Sequence, residues 1–199
     1  MDPSRFDDPV AMKTAWTPAK GGGANFKTHV LVETGPQRLE FRASAGARLF
    51  YGVFLLAGLA VMASVLARPS RGLDLYAPLG FGFLFAVLGG VLLYYGARPA
   101  VFDLRKGLYW KGRRGPERGF RIRSLPEGAV ELREVHALQL IAEWIPGDSD
   151  SSPYHSYELN LVLTDGRRIN VVDHGNREVL LKDAETLSRL LGKPVWNAL

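Results

Sequence analysis

Asp173-His174-Gly175 is the first run in this chain whose residue types could do chemistry. An imidazole beside a carboxylate can serve as a general base near neutral pH. The spacing argues the other way. Neighbours on an extended chain point to opposite faces, and Asp-His-Gly at a strand end is also ordinary turn and capping sequence. The four histidines, His29, His136, His155 and His174, show no paired ligand spacing, such as two on one helical turn. Gly21-Gly22-Gly23 lacks the spaced glycines and the Lys-Ser/Thr of a phosphate loop and reads as a linker. There is no cysteine, which excludes disulfides, thiolate catalysis and cysteine-ligated zinc. No catalytic residue, metal or cofactor is expected. A membrane-tethered enzyme using Asp173 and His174 stays as the alternative.

The stronger binding signal is basic. Lys111, Arg113 and Arg114 are followed by Arg118, Arg121 and Arg123. Beside an anionic leaflet each such cation is worth about 1 kcal/mol. Lipid-headgroup contact is one reading, which would make the domain a lipid-sensing module. A topology signal plus a solvated strand face is the plainer one. The net charge of +5 comes with no nucleic-acid reading motif, so nucleic acid is not an expected partner.

These cations follow two long apolar blocks. Leu49–Ala67 and Leu75–Ala97 contain no charged residue. A bilayer core about 30 Å thick needs about 20 helical residues, so each block can span it. Arg68-Pro69-Ser70-Arg71-Gly72-Leu73-Asp74 is a short, helix-breaking connection, which makes the two spans an antiparallel hairpin. Cations are denser outside the hairpin than in this connection, which places both termini in the cytoplasm. Pro78 falls in the first turn of its span, where proline is tolerated. Gly82, Ala86 and Gly90 recur every four residues, with Ala60 and Ser64 as a matching step on the first span. Small residues at this spacing let helices approach closely, within the hairpin or between copies. No ionisable group lies in either span, which disfavours a transport pathway.

Strand patterns bracket the hairpin. Residues 1–27, with early aspartates, prolines and a glycine tract, read as a disordered arm and not a secretory signal. Residues 28–46 hold the first strands, with Leu39 and Phe41 alternating against Arg38, Glu40 and Arg42. After the hairpin, residues 99–199 complete the domain. Ala100–Leu104 and Leu108–Lys111 flank a turn at Gly107, and Phe120 and Ile122 alternate with Arg121 and Arg123. Leu138, Leu140, Ala142 and Trp144 share one strand face, and Tyr157, Leu159, Leu161 and Leu163 share another before a turn at Asp165-Gly166. A C-terminal helix over 176–191 starts at an Asn176 cap and stops at Gly192, with Leu180, Ala184, Leu187 and Leu191 as its apolar stripe. Val195 and Trp196 should dock beside it.

This layout resembles small bacterial membrane proteins that join a transmembrane hairpin to a pleckstrin-homology-like domain. More distantly it resembles the photosystem I assembly factor family. The matching residues are Phe102-Asp103-x-Arg105-Lys106-Gly107, Glu134-Val135-His136-Ala137-Leu138 and Leu190-Leu191-Gly192-Lys193-Pro194-Val195-Trp196. The resemblance implies a membrane α+β fold that joins a two-helix hairpin to a pleckstrin-homology-like β-barrel or sheet domain closed by a C-terminal helix. The strand patterns depart from that layout in one respect: two strands precede the hairpin, which is therefore expected to be inserted in the barrel sequence. It also implies residence in a bacterial inner membrane, with a lipid or membrane-protein partner or a second copy. It transfers no functional residue. The expected role is a non-enzymatic scaffold or assembly module at the bilayer surface.

Overall fold

The computed structural model describes residues 1–67, 72–116, 125, 128–149 and 151–199. The chain divides into two units, Met1–Arg42 with Pro99–Leu199, and Ala43–Arg98 inserted between them. The first unit is α+β and contains two sheets. The Phe120–Arg123 strand pattern lies outside the described residues.

The first sheet runs in chain order through β1 (His29–Gly35), β2 (Arg38–Ala43), β3 (Ala100–Asp103), β4 (Leu108–Lys111) and β5 (Val130–Glu131). Alternation sets its faces. Leu39 lies opposite Phe102, Phe102 opposite Tyr109 and Tyr109 opposite Val130, and all four are buried. The other face carries Glu40 between two guanidinium groups, at 2.7 Å from Arg38 and 2.8 Å from Arg42. Burial opposes ionisation of Glu40, but the hydrogen bonds and charges of Arg42 and Arg38 outweigh it and hold the carboxyl below its ordinary range. Gly107 takes φ +67° in the β3–β4 turn, a conformation that suits glycine.

The second sheet has the order β8-β7-β6-β9, with β6 (Val135–Ile145), β7 (Tyr154–Leu163), β8 (Arg168–His174) and β9 (Val195–Ala198). Its inner face is Leu138, Leu140, Leu159 and Leu161, all fully buried. The helices of this unit are α1 (Pro9–Lys13) and a C-terminal helix (Arg177–Leu191). The C-terminal helix begins where Asn176 Oδ1 accepts the Val179 N–H at 3.0 Å and ends at Gly192, φ +63°. It buries Leu180, Ala184 and Leu187 in the same core as the sheet leucines. Each buried leucine stabilises by about 1.5–3 kcal/mol. The sequence predicts a docked tail at Val195 and Trp196. The structure instead shows a strand there, paired in parallel with β6 through Leu138–Val195 and Gln139–Trp196.

The arm also differs from expectation. Residues 1–27 are not a disordered arm here. Pro3–Phe6 forms a short 3-10 turn ahead of α1. The aspartates that suggest disorder act as caps: Asp2 Oδ1 accepts the Ser4 N–H at 2.9 Å and Asp8 Oδ1 accepts the Val10 N–H at 2.7 Å. Phe6 stacks on Trp16 with centroids 5.0 Å apart, and Trp196 closes against both. Val10 and Ala11 join Ala137, Val162 and Trp196 in a second small core.

The inserted unit is a helical hairpin of α2 (Ala45–Leu66) and α3 (Leu73–Val91), the latter continued by a π-helical turn over Leu92–Gly96. Both helices are long and apolar enough to cross a bilayer, and only 17% and 11% of their most apolar stretches are buried. The core helix of a soluble protein would be mostly buried. The first span starts earlier than the apolar block because Ser44 Oγ caps it, accepting the Ala47 N–H at 3.0 Å. Pro78 falls inside α3, past the first turn, so one main-chain hydrogen bond is missing there.

Candidate functional site

Strand register separates the two residues of the candidate catalytic pair. Asp173 lies opposite Glu158 and His174 opposite Tyr157, on the two faces of the β7–β8 pair. His174 is fully buried, and its Nδ1 accepts the Asn176 N–H at 2.9 Å. Desolvation, followed by the charge of Lys27, lowers its pKa, so the ring is a neutral packing element. Asp173 accepts from Asn170 Nδ2 at 2.9 Å instead. The other histidines are dispersed. His136 Nε2 meets Asp8 Oδ2 at 2.7 Å, and His155 packs on Trp144 with ring centroids 4.6 Å apart. Among the described residues no group of three or more His, Asp or Glu side chains is placed to hold a metal ion.

Of the basic run, Lys111, Arg113 and Arg114 are described, whereas Arg118, Arg121 and Arg123 lie outside the described residues. Lys111 pairs in register with Ala100, and the Gly112 N–H donates to Pro99 O at 2.8 Å. The run therefore starts beside the residues that follow the second apolar helix. Lys111 Nζ also donates to Asn170 Oδ1 at 3.3 Å. The residue as a whole stays exposed, yet desolvation of its ammonium, followed by repulsion from Lys20, pushes its pKa down to about 8. Asp173, in the same group, is raised by burial and by the nearby Glu158 charge.

Within the hairpin, small residues set the helix contact, with a changed roster. A Cβ on Gly58 would collide with the Ala86 N and the Gly82 O, and one on Gly82 would sit 2.9 Å from Gly58 O. Gly89, not Gly90, approaches Leu55, and a Cβ on Gly90 would meet open space. Gly58 takes the place predicted for Ala60 and Ser64, both of which are exposed. At the far end of the hairpin Arg98 lies over the Tyr95 and Tyr94 rings, at 4.2 Å and 5.2 Å, an arrangement suited to a bilayer interface.

The most heavily built polar surface is the outer face of the second sheet. Register lines up Gln139 with Asn160 and Asn170, Ile141 with Glu158 and Asp173, and Glu143 with Ser156. Gln139, Ser156, Glu158 and Asn160 are fully buried. What buries them is the arm. The Ala19 and Lys20 N–H groups donate to the two Glu158 carboxylate oxygens at 2.8 Å each. Ser156 Oγ accepts the Ala24 N–H at 2.7 Å, Gln139 Nε2 donates to Ala15 O at 3.0 Å and Arg168 Nη1 donates to Thr17 O at 2.6 Å. Hydrogen bonds to a charged group are worth about 1.5–3 kcal/mol each, enough to hold an irregular segment in place. A signal for this face exists in the sequence. Ser156, Glu158 and Asn160 alternate with Tyr157, Leu159 and Leu161, which reads as a solvated face until its cover is known.

Compared with protein-family models and with curated proteins, the chain matches none.

Proposed function

We propose that this chain is a non-enzymatic integral membrane protein whose α+β domain works as a scaffold or assembly module at the bilayer surface. The observation that carries the reading is the point of insertion. The helical hairpin leaves the sheet after β2 and returns at β3, and these strands are adjacent and paired, Phe41 opposite Ala100. Two connections into neighbouring strands tie the hairpin to the sheet on both sides of the insertion, which suits a domain that works at the bilayer surface. The apolar, largely exposed helices and the absence of a charged residue between Leu75 and Ala97 support an anchor over a conduit. The balance of flanking cations supports cytoplasmic termini, and the resemblance supports a bacterial inner membrane. The pleckstrin-homology-like reading draws support from two antiparallel sheets followed by a helix packed on their shared core, with β9 as an addition to that plan.

The test is isolation of the full chain from its own membranes in a mild detergent, with mass measurement of the intact particle. A stoichiometric membrane-protein partner, or a second copy, is the expected result. A lipid-bound monomer under every mild condition would refute the scaffold role.

A second reading is anionic-lipid contact by the basic run Lys111, Arg113, Arg114, Arg118, Arg121 and Arg123, favoured by its start beside Pro99 and Ala100. Full chain in vesicles of mixed lipid should enrich phosphatidylglycerol over phosphatidylcholine in its shell, and glutamine at the six positions should erase the enrichment. Equal enrichment in both proteins would remove this reading.

A further inference from the structure

The polar row under the arm raises a question of design. A sheet face that is permanently covered is most cheaply made apolar, as it is at one end, where Ala137, Val162 and Trp196 meet Val10 and Ala11. A few residues along, the same face buries Gln139, Ser156, Glu158 and Asn160. Buried polar and charged groups are costly unless each finds a partner.

Their partners are almost entirely main chain. Glu158 takes two successive N–H groups, Ser156 takes one, and Gln139 and Arg168 each reach a carbonyl oxygen. Apart from Trp16, which packs on Phe6 and Trp196, arm side chains add little, since Ala15, Thr17, Ala19 and Lys20 are exposed. The arm contributes shape instead. A Cβ on Gly23 would collide with Ser156 Cβ and Oγ, and Gly22 takes φ +91°. The fit is also incomplete. Asn160 Oδ1 and Glu143 Oε2 are buried beneath the arm without a hydrogen-bond partner. Asn160 is fully buried, and its amide nitrogen already donates to Glu158 Oε2 at 3.0 Å.

From this we infer that the outer face of β6–β7 is a main-chain-reading cradle for a glycine-bearing peptide segment, and that residues 15–24 are its exchangeable resident ligand. The ligand class follows from the contacts: two successive free amides facing a carboxylate, then a left-handed glycine and a residue without Cβ, with Trp16 the one side chain that the seat packs. A cradle with this grammar accepts a small-residue segment from another chain once the resident arm lifts. The inference goes beyond the scaffold role, which a failed peptide titration would leave standing.

The test uses full chain in detergent micelles and a labelled synthetic peptide covering residues 14–25. Wild type should not bind the peptide, because the seat is taken. Gly23→Leu should lift the resident arm, speeding exchange of the Ala19, Lys20 and Ala24 amides at least about tenfold while β6 and β7 amides stay protected. That variant should bind the peptide saturably with one site. Adding Glu158→Gln should weaken binding at least about tenfold, since one charged acceptor serves two donors. A peptide that itself carries leucine at position 23 should fail. Ala19→Pro is the second route to an empty cradle. It removes one donor without touching the sheet, and should reproduce the uptake. Three results each overturn the inference: no uptake by either variant, uptake indifferent to Glu158→Gln, or loss of arm and β6–β7 protection together, which would make the arm an inseparable part of the core.

Discussion

Replacing Asp183 with asparagine should stabilise this protein at neutral pH, although it removes a charge from the surface-facing helix Arg177–Leu191. Asp183 is partly buried, and its Oδ2 has no hydrogen-bond partner. Desolvation raises its pKa from 3.8 to about 6 against the opposing charges of Lys27 and Lys182. The folded chain therefore holds a proton that the unfolded chain releases near pH 3.8. Between that pH and about 6 the unfolded state binds fewer protons, so stability falls as pH rises, and above about 6 the loss is complete. A shift of about two pH units corresponds to about 3 kcal/mol as a ceiling. Partial exposure and solvent screening reduce this to about 1–2 kcal/mol. For a chain of this size that is a rise in Tm of about 2–8 °C. The assay is thermal unfolding of the full chain in detergent, followed by tryptophan fluorescence, for wild type and Asp183→Asn at pH 7 and pH 4. The gain should be present at pH 7 and gone at pH 4. His174, whose pKa is lowered, titrates with the opposite sign but is common to both proteins, so the difference isolates Asp183. A variant that is no more stable at pH 7, or whose gain persists unchanged at pH 4, would refute the reasoning.

Other expectations follow from the same contacts. Gly58→Leu should separate the helical hairpin, since its Cβ has no room beside the Ala86 N, whereas Gly90→Ala should be silent; aggregation temperature in detergent distinguishes them. His174→Ala should lose about 1–3 kcal/mol in denaturant titration, because it empties the fully buried site of the ring and removes the acceptor of the Asn176 N–H. Burial works against ionisation of Asp8, but hydrogen bonds from His136 and the Val10 N–H prevail and depress its pKa. Its contribution is therefore present above pH 3.8 and lost as pH falls through the depressed value. Exchange of the Val10 and Ala11 amides should accelerate in acid, and Asp8→Asn should differ from wild type only above that range.

What the sequence determined by itself is what depends on near neighbours along the chain. Two uncharged apolar blocks are enough to specify two long apolar helices, because helix length and hydropathy are local quantities. Asn176 and Gly192 bound the last helix, and Gly107 and Gly166 mark turns, since capping and positive φ are satisfied within a few residues. Tertiary structure decided the rest, through contacts between distant segments. The arm is ordered because Glu158, 138 residues beyond Lys20, offers two acceptors to its amides, and nothing within residues 1–27 signals that. Gly58 forms the helix contact in place of Ala60 and Ser64 because the rotation of one helix against the other, not the spacing on either, selects which small residue faces inward. Asp173 and His174 are neighbours in sequence and strangers in space, because a strand gives one of them to the core and the other to the face beneath the arm.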